Sequence, residues 1–154
     1  MESTAFLTAG VEATEAAGAA LAKRMTEDTS LPPFVALYGD LGVGKTAFVR
    51  GMASVIAPGA AVRSPTFALV HEYRAAPRSL FHFDMYRIDS EDDLDSIGFY
   101  DYWTRPGICL VEWSERIPYA LPDTYLRVEI RKTSPDRPEE REIRMERIGG
   151  ALSI

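Results

Sequence analysis

Eight consecutive residues concentrate the chemistry this chain could perform: Gly39-Asp40-Leu41-Gly42-Val43-Gly44-Lys45-Thr46. They match G-x-x-x-x-G-K-[ST] at every fixed position, a spacing whose glycines allow successive backbone N–H groups to point inward at one anion. Phosphate is the anion this arrangement suits. Lys45 adds a compact positive charge for the β- and γ-phosphates, and Thr46 offers a hydroxyl to Mg²⁺. A glycine-rich turn that merely closes a strand is the rival reading.

Phosphoryl chemistry on a Mg²⁺-bound nucleotide also needs a carboxylate at the end of a neighbouring buried strand. Two fit: Asp84, after Leu80-Phe81-His82-Phe83, and Glu112, after Ile108-Cys109-Leu110-Val111. Spacing alone does not choose between them, and a solvated strand-end carboxylate is the plain alternative for each. Thr66, in Ser64-Pro65-Thr66-Phe67, follows the loop at a distance comparable to that of threonines that sense a γ-phosphate; an ordinary turn is its competing reading. No Asn-Lys-x-Asp or Thr-Lys-x-Asp occurs, so the usual guanine-reading device is missing and ATP is favoured over GTP.

The elements needed to position these residues are legible. Phe34 to Tyr38 is a short apolar run suited to a buried strand, and Thr46 to Ile56 has helical periodicity that stops before Pro58 and Gly59. Strand, glycine loop and helix thus follow in the order the phosphate loop requires. Val11 to Met25 reads as an alanine-rich packing helix. Phe67 to Tyr73 and Leu80 to Tyr86 read as a hairpin turning near Pro77. Ile108 to Glu112 reads as a second buried strand, and Leu126 to Lys132 with Glu142 to Ile148 as a charged, solvent-facing hairpin. The predicted fold is a three-layer α/β domain of the P-loop NTPase type over residues 1–154, with a central sheet of parallel and antiparallel strands.

Composition narrows the function classes. The 154 residues are 46% hydrophobic and 26% charged, which argues against a disordered or fibrous chain. Twenty-three acids against 17 bases leave a net charge of −6, a poor footprint for direct nucleic-acid binding. Even the long uncharged stretch Gly51 to Val62 falls short of the roughly 20 residues of a membrane span. The start, Met1 to Phe6, carries Glu2 and no base, which predicts a cytoplasmic protein without a secretory or transit peptide. Cys109 stands alone in an apolar run and predicts a buried, inert thiol.

The loop, then Phe48-Val49-Arg50-Gly51, Ser64-Pro65-Thr66-Phe67, His82-Phe83-Asp84-Met85-Tyr86-Arg87, Ile97-Gly98-Phe99, and Glu112-Trp113 with Glu115-Arg116 together resemble the TsaE (YjeE) family. The resemblance runs from about Phe34 to Pro122. It implies an ATPase of the bacterial machinery that makes threonylcarbamoyladenosine at position 37 of tRNA, with TsaB and TsaD as partners and tRNA met only through their complex. It further implies that residues 39–46 hold ATP or ADP, that Asp84 takes the Mg²⁺-associated role, and that Thr66 belongs to a switch-like segment. Glu112 and Trp113 match a pair tied in the family to activity or to nucleotide-state sensing. Thus Lys45, Thr66, Asp84 and Glu112 are the catalytic candidates, Thr46 and Asp84 the metal candidates, and Trp113 joins the nucleotide set. Val43 and Ala47 are mild departures from the family pattern. A small-molecule kinase and a nucleotide-gated interaction module are the alternatives.

Other features keep two readings each. His82 alternates with Phe81 and Phe83 and is either a structural histidine or part of the nucleotide site or an interface. The acidic run Asp89 to Asp101 is a solvated face or a docking surface, and Phe99, Tyr100, Tyr102 and Trp103 are core or interface. Arg87 is an ion-pair partner of the acidic helix or a phosphate or partner contact.

Overall fold

A seven-stranded sheet organises the chain, seen in a computed structural model that describes residues 3–40 and 42–150. The strands are β1 (Thr4–Ala9), β2 (Phe34–Tyr38), β3 (Val70–Tyr73), β4 (Ser79–Asp84), β5 (Gly107–Glu112), β6 (Tyr125–Ser134) and β7 (Arg137–Ile148). Their order is β1-β7-β6-β2-β5-β4-β3. β2 runs parallel to both β5 and β6, and β4 parallel to β5; β3–β4, β6–β7 and β1–β7 are antiparallel. The mixed α/β sheet expected from the hairpins is present.

Two helices, α1 (Val11–Glu27) and α2 (Lys45–Ile56), cover one face. Their Ala17, Leu21, Met25, Phe48, Val49 and Met52 close over Val35, Leu37, Leu110, Val128 and Ile130. The short α3 (Glu91–Ser96) and the 3-10 turn Phe99–Thr104 cover the other, where Phe34, Ala36, Phe83 and Val111 meet Leu94 and Phe99. β2 therefore buries alternate residues on opposite faces, which is why it reads as unbroken apolar sequence rather than as alternation.

Helices α1 and α2 approach closely enough to need glycine. A Cβ on Gly18 would lie 2.1 Å from the Phe48 carbonyl oxygen, and one on Gly51 would lie 1.9 Å from that of Glu15. This close crossing sets the position of α2, and with it the glycine loop before it, over the sheet. Arg50 then clips the pair by an exposed ion pair to Glu15 at 2.6 Å.

Two expectations need correction, and one strand was not anticipated. The segment beginning at Phe67 joins the sheet only at Val70, because Leu69 takes a positive φ of 69°, with its N–H on the Pro65 carbonyl at 2.6 Å. That turn frees Thr66 to reach Asp84. The β6–β7 hairpin is not an appendage in solvent: β6 pairs with β2 inside the sheet and buries Leu126, Val128 and Ile130, while β7 buries Ile143 and Met145. β1, an edge strand mostly exposed on both faces, carries no apolar alternation to announce it and forms by pairing with β7. Among the described residues, no helix is long and apolar enough to cross a membrane.

Candidate functional site

The carboxyl ends of β2, β4 and β5 open into a cavity of about 320 Å³, lined by Gly42, Gly44, Lys45, Thr46, Ser64, Thr66, Asp84, Glu112 and Trp113. A crevice at the carboxyl ends of parallel strands is where open α/β sheets bind ligands. A larger hollow, about 570 Å³, lies beside Gly39, Asp40 and Val43 under Tyr38 and Arg127, but its lining includes neither Lys45 nor Asp84 nor Glu112. Leu41, an expected member of the loop, lies outside the described residues.

The loop ends at Gly44, whose φ of 107° only glycine adopts without strain, and α2 begins at the next residue. No side chain caps this helix start and no acid stands in its first turn, so its free N–H groups and positive dipole end face the cavity. Lys45 is 6% exposed. Its ammonium donates to the Gly39 carbonyl at 2.6 Å and lies 4.2 Å from the centre of the Trp113 ring. Among the described residues no carboxylate lies within 4.0 Å of it to form an ion pair. A nearly buried cation that leans on a carbonyl and an aromatic face is matched to an anion from outside the chain.

Opposite stands Asp84 at the end of β4. Its Oδ2 accepts the Thr66 hydroxyl at 3.0 Å, and Thr66 in turn accepts from Ser64 at 2.7 Å. Its Oδ1 accepts the Tyr86 backbone N–H at 2.9 Å, a local turn that ends the strand before the expected Tyr86. Asp84 and Glu112 pair directly in the β4–β5 register, so both carboxylates belong to one wall. The tie left by spacing is thereby given a geometry: Asp84 is wired to the loop at Thr66, whereas Glu112 is wired into the sheet through His82, with Nε2 and Oε2 2.5 Å apart. Trp113 holds a positive φ of 59°, which turns its ring back over Lys45 and against Tyr86, 5.0 Å away between ring centres.

The oxygen set of Thr46 and Asp84 suits a hard cation such as Mg²⁺, which keeps several waters and takes one or two protein ligands beside phosphate. Among the described residues no three His, Cys, Asp or Glu side chains converge as an all-protein metal cage. The residues present therefore fit a metal that arrives with a phosphate ligand.

The remaining features resolve as follows. Phe99 is fully buried and stacks edge-on with Phe34, Phe83 and Trp103, so this aromatic group is chiefly core. The acidic helix is capped by Ser90, whose Oγ accepts the Asp93 N–H, and Asp89 pairs with Arg116 at 3.1 Å. Arg87 makes no ion pair with the acidic helix among the described residues; it stacks over the ring of Phe67, 4.5 Å from its centre, a residue that is 83% exposed. His82 belongs to the site's supporting wall, a role its alternation left open. Burial pushes the Cys109 thiol up to about 12.

Comparison with known proteins bears on the family and the fold. The family described as Threonylcarbamoyl adenosine biosynthesis protein TsaE matches residues 8–143, well beyond the Phe34–Pro122 stretch that carries the motifs. The tRNA threonylcarbamoyladenosine biosynthesis protein TsaE of Haemophilus influenzae is 44% identical over 96 residues, 62% of this chain and 61% of that protein. Its namesake from Bacillus subtilis is 37% identical over 118 residues, 77% of this chain and 72% of that one. The match thus spans less than two thirds of the Haemophilus protein's length. Among solved structures, the crystal structure of Bacillus subtilis YdiB superposes with a TM-score of 0.73 at 29% identity, over 97% of this chain and 87% of that one.

Proposed function

The chain belongs to the TsaE family of threonylcarbamoyladenosine biosynthesis, and from that membership we propose that it binds ATP with Mg²⁺ at the 320 Å³ cavity and hydrolyses it in service of tRNA modification. The observation that carries the reading is Lys45: a nearly buried ammonium with no ion-pair partner among the described residues, set at the uncapped start of α2.

In this reading the α2 N-terminus and the loop amides take the phosphates and Lys45 neutralises charge on the β- and γ-phosphates. Thr46 and Asp84 hold the cation, which when bound offsets charge developing on the phosphate oxygens. Thr66, already bonded to Asp84, couples loop 64–69 to whatever occupies the cavity. Glu112 faces the same space as an acceptor able to orient a water, and Trp113 reads the position of Lys45. TsaB and TsaD are the proposed partners, with tRNA reached through them and the acidic α3 face, Glu91, Asp92 and Asp95, as the first docking surface to test. The hydrolysis is expected to be slow in the isolated chain, because among the described residues no arginine lines the cavity to complete charge stabilisation.

Phosphate release and product identity test this together. Inorganic phosphate without a phosphorylated product supports the ATPase; a phosphorylated small molecule supports a kinase; ATP binding without turnover, even with TsaB and TsaD, supports a nucleotide-gated module.

A further inference from the structure

His82 is fully buried in β4, yet only one side chain separates it from the cavity. Its Nε2 lies 2.5 Å from Oε2 of Glu112, and among the described residues this is the one side-chain hydrogen bond Glu112 makes. The other ring nitrogen, Nδ1, is buried and has no partner among the described residues. That asymmetry selects a tautomer. A proton on Nδ1 would leave a buried donor unmet, whereas a proton on Nε2 is donated to the carboxylate and leaves Nδ1 as a bare acceptor, the less costly group to orphan. A histidine needed only to fill space would be better replaced by an apolar side chain, since the half-met imidazole gains nothing from burial except this one directed bond.

We propose that His82 is a positioning residue for Glu112. By holding Oε2 from behind, it fixes the carboxylate of a side chain only 7% exposed, so that Oε1 is presented to the cavity shared with Lys45, Thr66 and Asp84. A glutamate has three rotatable side-chain bonds, and a tether settles them before substrate arrives, removing an ordering cost from the reaction. The register supports the geometry: Asp84 faces Glu112 directly, and His82, two residues back on the same face of β4, reaches Glu112 diagonally. One wall of the cavity thus has a carboxylate tied to loop 64–69 through Thr66 and a second tied to the sheet interior through His82. The inference rests on the ATPase reading of this cavity.

The test compares His82→Leu, which keeps the volume and loses the donor, with His82→Gln, whose terminal amide can donate from near the Nε2 position. Each is measured for ATP dissociation constant, kcat and melting temperature. His82→Leu should lower kcat by about tenfold or more with the ATP dissociation constant within about twofold of the parent, and His82→Gln should recover most of the loss. If His82→Leu does not fold, His82→Asn replaces it, because its shorter amide mimics Nδ1 and cannot reach Glu112. In a Glu112→Ala background the His82 substitution should change kcat by less than about twofold, since no carboxylate remains to be held. Equal losses in both backgrounds, or weakened ATP binding with kcat unchanged, would overturn the positioning role while leaving the ATPase standing. A parent protein that releases no phosphate, alone or with TsaB and TsaD, would overturn the ATPase and this inference together.

Discussion

Replacing Lys45 by alanine removes the sole basic side chain among the described residues lining the 320 Å³ cavity. The ammonium forms a 2.6 Å hydrogen bond to the Gly39 carbonyl and lies against Trp113, so it is already held where phosphate oxygens would meet the loop amides. A hydrogen bond to a charged group contributes about 1.5–3 kcal/mol. At about 1.4 kcal/mol per tenfold, its loss should weaken ATP binding by roughly 10- to 150-fold. The fold should survive. Alanine is the best helix former at the start of α2, and the deleted cation was nearly buried without a carboxylate, a position that stabilises the empty protein little. Because Lys45 is nearly buried and hydrogen-bonded, the expected loss is that of an ordered charge. Calorimetric titration of Mg-ATP into parent and variant, with a melting curve for each, gives both quantities. An affinity within about twofold of the parent, in a variant that melts normally, would refute the phosphate role of Lys45.

Asp84→Ala should depress phosphate release across a Mg²⁺ titration more than it weakens nucleotide binding, because Asp84 holds Thr66 and the proposed metal rather than the phosphates; unchanged activity at every Mg²⁺ concentration would move that role to Glu112. Gly51→Ala forces a Cβ to within 1.9 Å of the Glu15 carbonyl oxygen, and overpacking of this kind costs about 1–3 kcal/mol. Its melting temperature should fall by roughly 3–10 °C; an unchanged value would mean that α1 and α2 do not cross as described. Cys109, whose thiol burial pushes from 9.0 up to about 12, stays protonated at neutral pH, so a thiol-specific reagent should label it only after denaturant is added. Prompt labelling of the folded protein would contradict its buried place in β5.

What could be read from sequence followed local physics. Gly39 to Thr46 was legible because the loop's needs are local: a strand before it, a helix after it, and glycine where φ turns positive. β2 matched its expected bounds because an apolar run flanked by Pro33 and Gly39 leaves no other register. Long-range pairing hid the rest. β1 has little inward face of its own and becomes a strand only against β7. β6 looked solvent-facing because Arg127, Glu129 and Arg131 alternate with its apolar residues, yet that same alternation marks a strand with one face in the core, and the sequence does not say which strand it will neighbour. In the site, both carboxylates were visible as strand ends. Their distinct tethers were not, because Thr66–Asp84 depends on the positive φ at Leu69, and His82–Glu112 on the parallel β4–β5 register.

The most direct test of the central claim is a crystal structure of the chain grown with Mg²⁺ and a non-hydrolysable ATP analogue. The account predicts phosphates against Lys45 Nζ and the backbone amides of residues 42–46, with the cation between Thr46, Asp84 and a phosphate oxygen. A nucleotide seated elsewhere, such as the hollow beneath Tyr38 and Arg127, with Lys45 still bonded only to Gly39, would contradict it.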